Sequence, residues 1–209
     1  MATTPTTIPE LLLALRSQNA TAPRLTWYGP DSERVELSGR VLDLWVAKTA
    51  NFIVDELDAE PGTAVAVDMP VHWRSLVWLL ATWAVGATAL SRPCQSSSDD
   101  AADANIVATT DPEAALSRAG AAGRAPFVVA VALPALAMRW LGELPADVLD
   151  YSGDVRAHAD VFFADETPGT EAVAWESGAG ATPYGSLVPA PAADAAPRRV
   201  LLQAQHGWD

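Results

Sequence analysis

The stretch from Ala64 to Ser91 constrains the fold more than any other. "AVAVDM" (64–69) is a short, nearly continuous apolar run, as expected of a strand buried on both faces. In the following segment Leu76, Leu79, Leu80 and Trp83 recur at helical spacing, and "ATALS" (87–91) reads as a second strand. Strand, helix over 71–85, strand at this spacing is a crossover unit. It predicts neighbouring parallel strands joined by a right-handed connection, and hence an α/β fold of three layers with helices flanking a mostly parallel sheet. The uncharged run 75–91 invites a competing reading as a membrane span. A spanning helix needs ~20 apolar residues for a ~30 Å core, and this run meets Gly86 and then stops at Arg92 and Pro93. A buried helix running into a buried strand fits better.

The same alternation continues along the chain. "ANIVAT" (104–109), "PFVVAVAL" (126–133), "EAVAW" (171–175) and "RRVLLQA" (198–204) are strand candidates, with "DPEAALSRAG" as a helix between the first two. Upstream, residues 8–18 form a short amphipathic helix with Pro9 in its first turn. "RLTWYG" and "RVELSG" flank "PDSE" as a hairpin. Ser38 then has the character of an N-cap for a helix reaching residue 58, whose apolar stripe is Leu42, Trp45, Val46, Thr49, Ile53 and Leu57. Two segments, 94–104 and 188–198, are rich in Ser, Asp, Pro and Ala and read as surface linkers within one domain spanning 1–209. There is no internal repeat.

Charge narrows the partners. The 13 Lys and Arg face 26 Asp and Glu, a net charge of −13. Such a surface repels phosphate backbones and anionic lipid heads, so neither nucleic acid nor a membrane is the expected partner. The single cysteine, Cys94, sits in the polar and acidic setting "RPCQSSSDD", which does not activate a thiol, and it excludes an intramolecular disulfide. The N-terminus has no basic region ahead of its apolar run, so it does not read as a signal peptide, and the cytoplasm is the expected location.

Few residues invite chemistry. The histidines are His72, His158 and His206. His158, with Asp154 and Asp160, is the nearest thing to a metal cluster, but a solvated face explains it and no metal site is expected. His72 and Trp73 open a helix after Pro70, where capping or core packing is the plain reading. There are eight tryptophans; Trp83 lies in the buried helical stripe and Trp45 on the apolar face of its own helix, so core packing is the plain reading. No serine lies in a nucleophile-elbow pattern, and no G-x-G-x-x-G follows the first parallel strand. No catalytic residue is assigned.

One stretch raises the question of nucleotide binding. "ESGAGATPYGSL" (176–187) has the glycines of a phosphate-gripping loop without a lysine. A Gly/Ala surface turn would contain the same residues. Taken with "LSG" (37–39), "AN" (50–51), "PGTAVAV" (61–67), "MP" (69–70), "VGA" (85–87) and "RP" (92–93), the order of signals resembles the N-terminal part of the AMP-forming acyl-CoA synthetases. Among these, the likeness is greatest to short acyl-CoA-synthetase-like proteins of high-GC bacteria. In that superfamily a loop T-S-G-T-T-G-x-P-K-G wraps the ATP phosphates. The resemblance places Ser177, Gly178, Gly180 and Gly185 in a degenerate version of this loop, with Pro183 also matching. Glu176 and Ala179 stand where threonines are expected, and Tyr184 stands in place of the lysine.

A carboxylate facing a triphosphate is repulsive, and a tyrosine carries no charge at neutral pH. Each missing charge-assisted contact forgoes roughly 1.5–3 kcal/mol. The family's downstream motifs, including its Mg²⁺-binding acid and its catalytic lysine, have no counterpart before Asp209. The resemblance therefore implies a degenerate, non-catalytic relative with no cofactor, binding ATP or AMP only if the altered loop still functions. Its expected role is a scaffold that binds another protein or forms a homodimer. The alternatives are one part of a split AMP-forming acid–CoA ligase, and a small-ligand binder using the crevice at the strand ends.

Overall fold

The computed structural model describes residues 4–91 and 104–189. Helix α1 (Ile8–Ser17) starts on Thr7, whose side chain accepts from the Glu10 N–H. Strands β1 (Pro23–Tyr28) and β2 (Arg34–Ser38) form the expected antiparallel hairpin around a short 3-10 turn. Ser38 caps α2 (Gly39–Leu57), its hydroxyl accepting from the Val41 N–H at 3.3 Å, and the helix ends where Asp58 turns left-handed at φ +50°. Close packing of the first two helices depends on Gly39. A Cβ there would lie 2.4 Å from the Leu15 carbonyl oxygen.

The central sheet is built from β3 (Ala64–Asp68), β4 (Thr88–Ser91), β5 (Ile106–Thr109), β6 (Phe127–Ala130), β7 (Val148–Asp150), β8 (Val173–Ser177) and β9 (Gly180–Pro183). Their order is β7-β6-β5-β3-β4-β8-β9, and every pairing is parallel except β8 with β9. β3 and β4 are neighbours joined by α3 (Trp73–Val85), as the apolar pattern predicts. From β3 the chain moves one way along the sheet through α3. From β5 it moves the other way through α4 (Pro112–Ala121). Right-handed crossovers of opposite direction put these two helices on opposite faces, which gives the three layers.

The interior is centred on α3. Trp78 and Val77 are fully buried, Phe52 of α2 meets Trp78 edge-on at 6.2 Å, and Tyr151 fills the space beside both. The tryptophans of α3 are thus core residues. Among the described residues no helix is long and apolar enough to cross a membrane.

The differences from the sequence reading are local. β6 stops at Ala130 rather than continuing to Leu133, because the following carbonyls turn inward to a buried arginine described below. β8 lies two residues downstream of "EAVAW", at Val173–Ser177. β7, the short helix α5 (Tyr151–Asp154) and β9 were not anticipated. The strand candidate 198–204, Cys94 and His206 lie outside the described residues, as does nearly all of both linkers.

Candidate functional site

Ser177 ends β8 opposite Ser91 of β4, at the carboxyl edge of the parallel strands, where open α/β sheets bind their ligands. From there the chain reverses at once. Ser177 pairs directly with Gly180, so Gly178 and Ala179 form a two-residue hairpin turn. Gly180 takes φ +121°, a conformation that favours glycine. The polar groups of the turn face one another. The Ala179 N–H donates to Ser177 Oγ at 3.2 Å, and that hydroxyl donates to the Gly180 carbonyl at 3.4 Å. A phosphate cradle requires several backbone N–H groups converging on one point in a wider concavity. Here the Ala179 N–H is engaged within the turn.

β9 then returns antiparallel. Four residues at about 3.3 Å each carry the chain to the opposite, amino edge of the sheet. There the Tyr184 N–H donates to the Ala172 carbonyl and the Gly185 N–H to the Thr170 carbonyl, both at 2.9 Å. The Tyr184 hydroxyl donates to the Ala87 carbonyl at 2.8 Å, just past the C-terminus of α3, and burial pushes its pKa up. Gly185 leaves room for Thr170, which a Cβ would approach to 3.2 Å. The structure therefore brings Ser177, Gly178 and Gly180 together and places Gly185 and Tyr184 at the far end of the same hairpin.

The crevice at the reversal of strand order, between the carboxyl ends of β3 and β5, is occupied by side chains the sequence reading did not single out. Arg118 Nη2 lies 2.6 Å from Asp68 Oδ2, and Thr109 Oγ1 donates to the same oxygen at 3.1 Å. Asp111 caps α4 through the Ala114 N–H at 3.0 Å. Nothing in one sequence pairs Asp68 with a residue 50 positions away.

Arg74 was also missed as a structural centre. It is 2% exposed and reaches the Ala132 carbonyl, Ser152 Oγ at 3.2 Å and the Ala135 carbonyl at 3.5 Å. Its guanidinium lies over the Trp73 ring at 4.8 Å, and burial lowers its pKa. His72 both caps α3 and is buried. Its Nδ1 accepts from the Arg74 N–H at 3.1 Å, its own N–H donates to Ser75 Oγ, and burial, with Arg74 nearby, depresses its pKa to about 4.

His158 finds carboxylates, but not those nearest in sequence. Its Nδ1 lies 3.2 Å from Asp55 Oδ2 and its Nε2 3.8 Å from Glu56 Oε1, while Asp160 pairs with Lys48 at 2.7 Å. Asp154 has its carboxyl pKa raised, by partial burial first and then by Asp150 and Glu56. Among the described residues no group of three or more His, Cys, Asp or Glu is placed to hold a metal ion. A cleft of about 640 Å³ opens at the amino edge, lined by Asp58, Glu60, Asn105, Arg124 and Phe127 among others. It lies at the opposite edge of the sheet from the Ser177–Gly180 turn.

No family model matches the chain. Among solved structures it is similar to an acyl-CoA synthetase from Brucella canis, at a TM-score of 0.61 and 18% identity, with 78% of this chain and 29% of that one covered. It is also similar to the acetoacetyl-CoA synthetase from Streptomyces lividans, at a TM-score of 0.62 and 19% identity, with 81% and 27% covered. The fold is that of the acyl-CoA synthetases, and the chain spans less than a third of the length of these two proteins. A Mycobacterium tuberculosis protein described as a TIGR03089 family protein is 34% identical over 169 residues, which cover 80% of this chain and 67% of that one. On that identity and coverage, the chain belongs to the TIGR03089 family.

Proposed function

We propose that this chain is a synthetase-like α/β domain that forms no acyl-adenylate and acts by binding another protein chain. The observation that carries the reading is the closure of the Ser177–Gly180 turn. In it the Ala179 N–H and the Ser177 hydroxyl are turned on one another. The residue standing where a phosphate-binding lysine is expected, Tyr184, is anchored to Ala87 at the other edge of the sheet. Among the described residues, the donors of this turn are spent on one another rather than converging on a point where a pentavalent phosphate could be stabilised.

Calorimetry with Mg-ATP and pyrophosphate exchange with a panel of carboxylic acids test this. The expected results are no binding heat and no exchange. Clear exchange would overturn the reading and favour the alternative of one part of a split AMP-forming acid–CoA ligase.

A further inference from the structure

The segment after β6 is built unlike the other loops. The Val131 N–H donates to the Thr109 carbonyl at 2.8 Å, and the Ala135 N–H donates to Glu33 Oε1 at 2.9 Å. The Ala132 and Ala135 carbonyls accept from Arg74. Those of Ala137 and Met138 accept from Arg156 at 3.4 Å each, while Arg156 is itself held by the Ser152 carbonyl at 2.6 Å and lies over the Trp45 ring. The Trp140 N–H closes the run on Asp150 Oδ2 at 2.8 Å. Two guanidinium groups and two carboxylates from four separate elements therefore gather the backbone of 131–140 inward.

The consequence falls on the side chains. With these backbone groups turned in, Leu136, Met138 and Leu141 are turned out, at 91%, 64% and 72% exposure. Three large apolar side chains are thus exposed within six positions of one held loop, a local density unlike singly scattered surface residues. An irregular loop fixed before contact loses little conformational entropy on association, which is the property of a prepared interface.

Charge decides what fits it. The chain carries a net charge of −13, yet positions 130–142 contain no Asp or Glu and one cation, Arg139, with Glu143 immediately beyond. The two carboxylates that reach the loop from elsewhere, Glu33 and Asp150, are engaged on its Ala135 and Trp140 N–H groups, so the loop itself adds little carboxylate repulsion between two copies. The loop also carries one charge of each sign, Arg139 and Glu143, and a two-fold arrangement allows each to meet its opposite in a second copy.

We propose that the 132–143 loop is a homodimer interface, in which Leu136, Met138 and Leu141 of two copies pack together and Arg139 pairs with Glu143 between copies. This deepens the scaffold reading and rests on it only for the use to which the contact is put. Self-association and adenylate chemistry are read by separate assays, so one can fail without the other.

Sedimentation velocity of the full chain over a wide concentration range, at physiological salt, tests the proposal. The wild type is expected to dimerise, and the Leu136→Asp, Met138→Asp double variant to remain monomeric with an unchanged circular-dichroism spectrum and melting temperature. Phe163→Asp, at an exposed apolar residue outside the loop, is expected to leave the dimer intact. Arg139→Glu is expected to weaken it about threefold, and adding Glu143→Arg to restore it. A strictly monomeric wild type would overturn the proposal. So would a dimer that survives the double aspartate variant, or one that Arg139→Glu weakens and Glu143→Arg fails to rescue.

Discussion

The Tyr184 hydroxyl donates to the carbonyl oxygen of Ala87 at 2.8 Å, fastening the end of the β8–β9 hairpin to the start of β4. The side chain at this position acts as an internal clasp. Tyr184→Phe is expected to lower stability by about 1 kcal/mol in chemical denaturation, the usual worth of one such bond. Tyr184→Lys is expected to cost more, because it sets an ammonium group in a half-buried site. It is also expected to confer no binding of Mg-ATP, because the side chain starts at the wrong end of β9.

Alkaline stability should report on two phenols. Burial pushes Tyr151 up to about 12 from an ordinary 10.0, and raises Tyr184 as well. Thr49 Oγ1 donates to the Trp45 carbonyl, so the Tyr151 hydroxyl is the donor in its 2.7 Å bond to Thr49 and must keep its proton. Above pH 10 the unfolded chain releases protons that the folded chain retains, so stability falls as pH rises from 10 towards 12. Urea midpoints across that interval are expected to decline for the wild type and to flatten for Tyr151→Phe.

At acid pH the group to watch is His72. Its folded pKa of about 4 lies below the ordinary 6.5, so between these values the unfolded chain binds the extra proton. Stability is complete above pH 6.5 and is lost as pH falls towards 4. His72→Asn retains a good helix cap and removes the titration. Its midpoint is expected to vary less than that of the wild type over this interval.

Removing Arg74 uncovers the carbonyls it serves. Arg74→Ala is expected to cost about 3 kcal/mol or more, since bonds from a charged donor are worth roughly 1.5–3 kcal/mol and the carbonyls it leaves are buried. Amide hydrogen exchange of Ala135 and Ala137 is expected to quicken well beyond what the global change explains. Uniform quickening across the sheet would show that the loop is not held locally by this residue.

The β3-α3-β4 unit was legible because its period and its punctuation agree. An unbroken apolar run, a helical stripe ending at Gly86 and a second apolar run admit one arrangement. Ser38 was legible as a cap for the same local reason. β9 was not, since "GATP" has the composition of a turn and becomes a strand only through its pairing with β8. β7 is three residues long, too short for alternation to register. In the candidate site the glycines stood out, but the distance between Gly178 and Gly185 did not. Whether such a segment spreads as a loop or zips into a hairpin depends on Trp175 facing Thr182, a contact no spacing rule contains. The bonds from Arg74 to Ala132 and from Glu33 to Ala135 span 58 and 102 residues, beyond any local signal.

Among the described strands β9 is one margin of the sheet, and it is short and closes on Pro183. A proline has no N–H to offer an incoming strand, and four residues give little length on which to template one. This margin is therefore blunt, which disfavours growth by adding strands from chain to chain. Opening of the hairpin would bare the edge of β8, so the Tyr184 bond to Ala87 also helps to keep that strand covered.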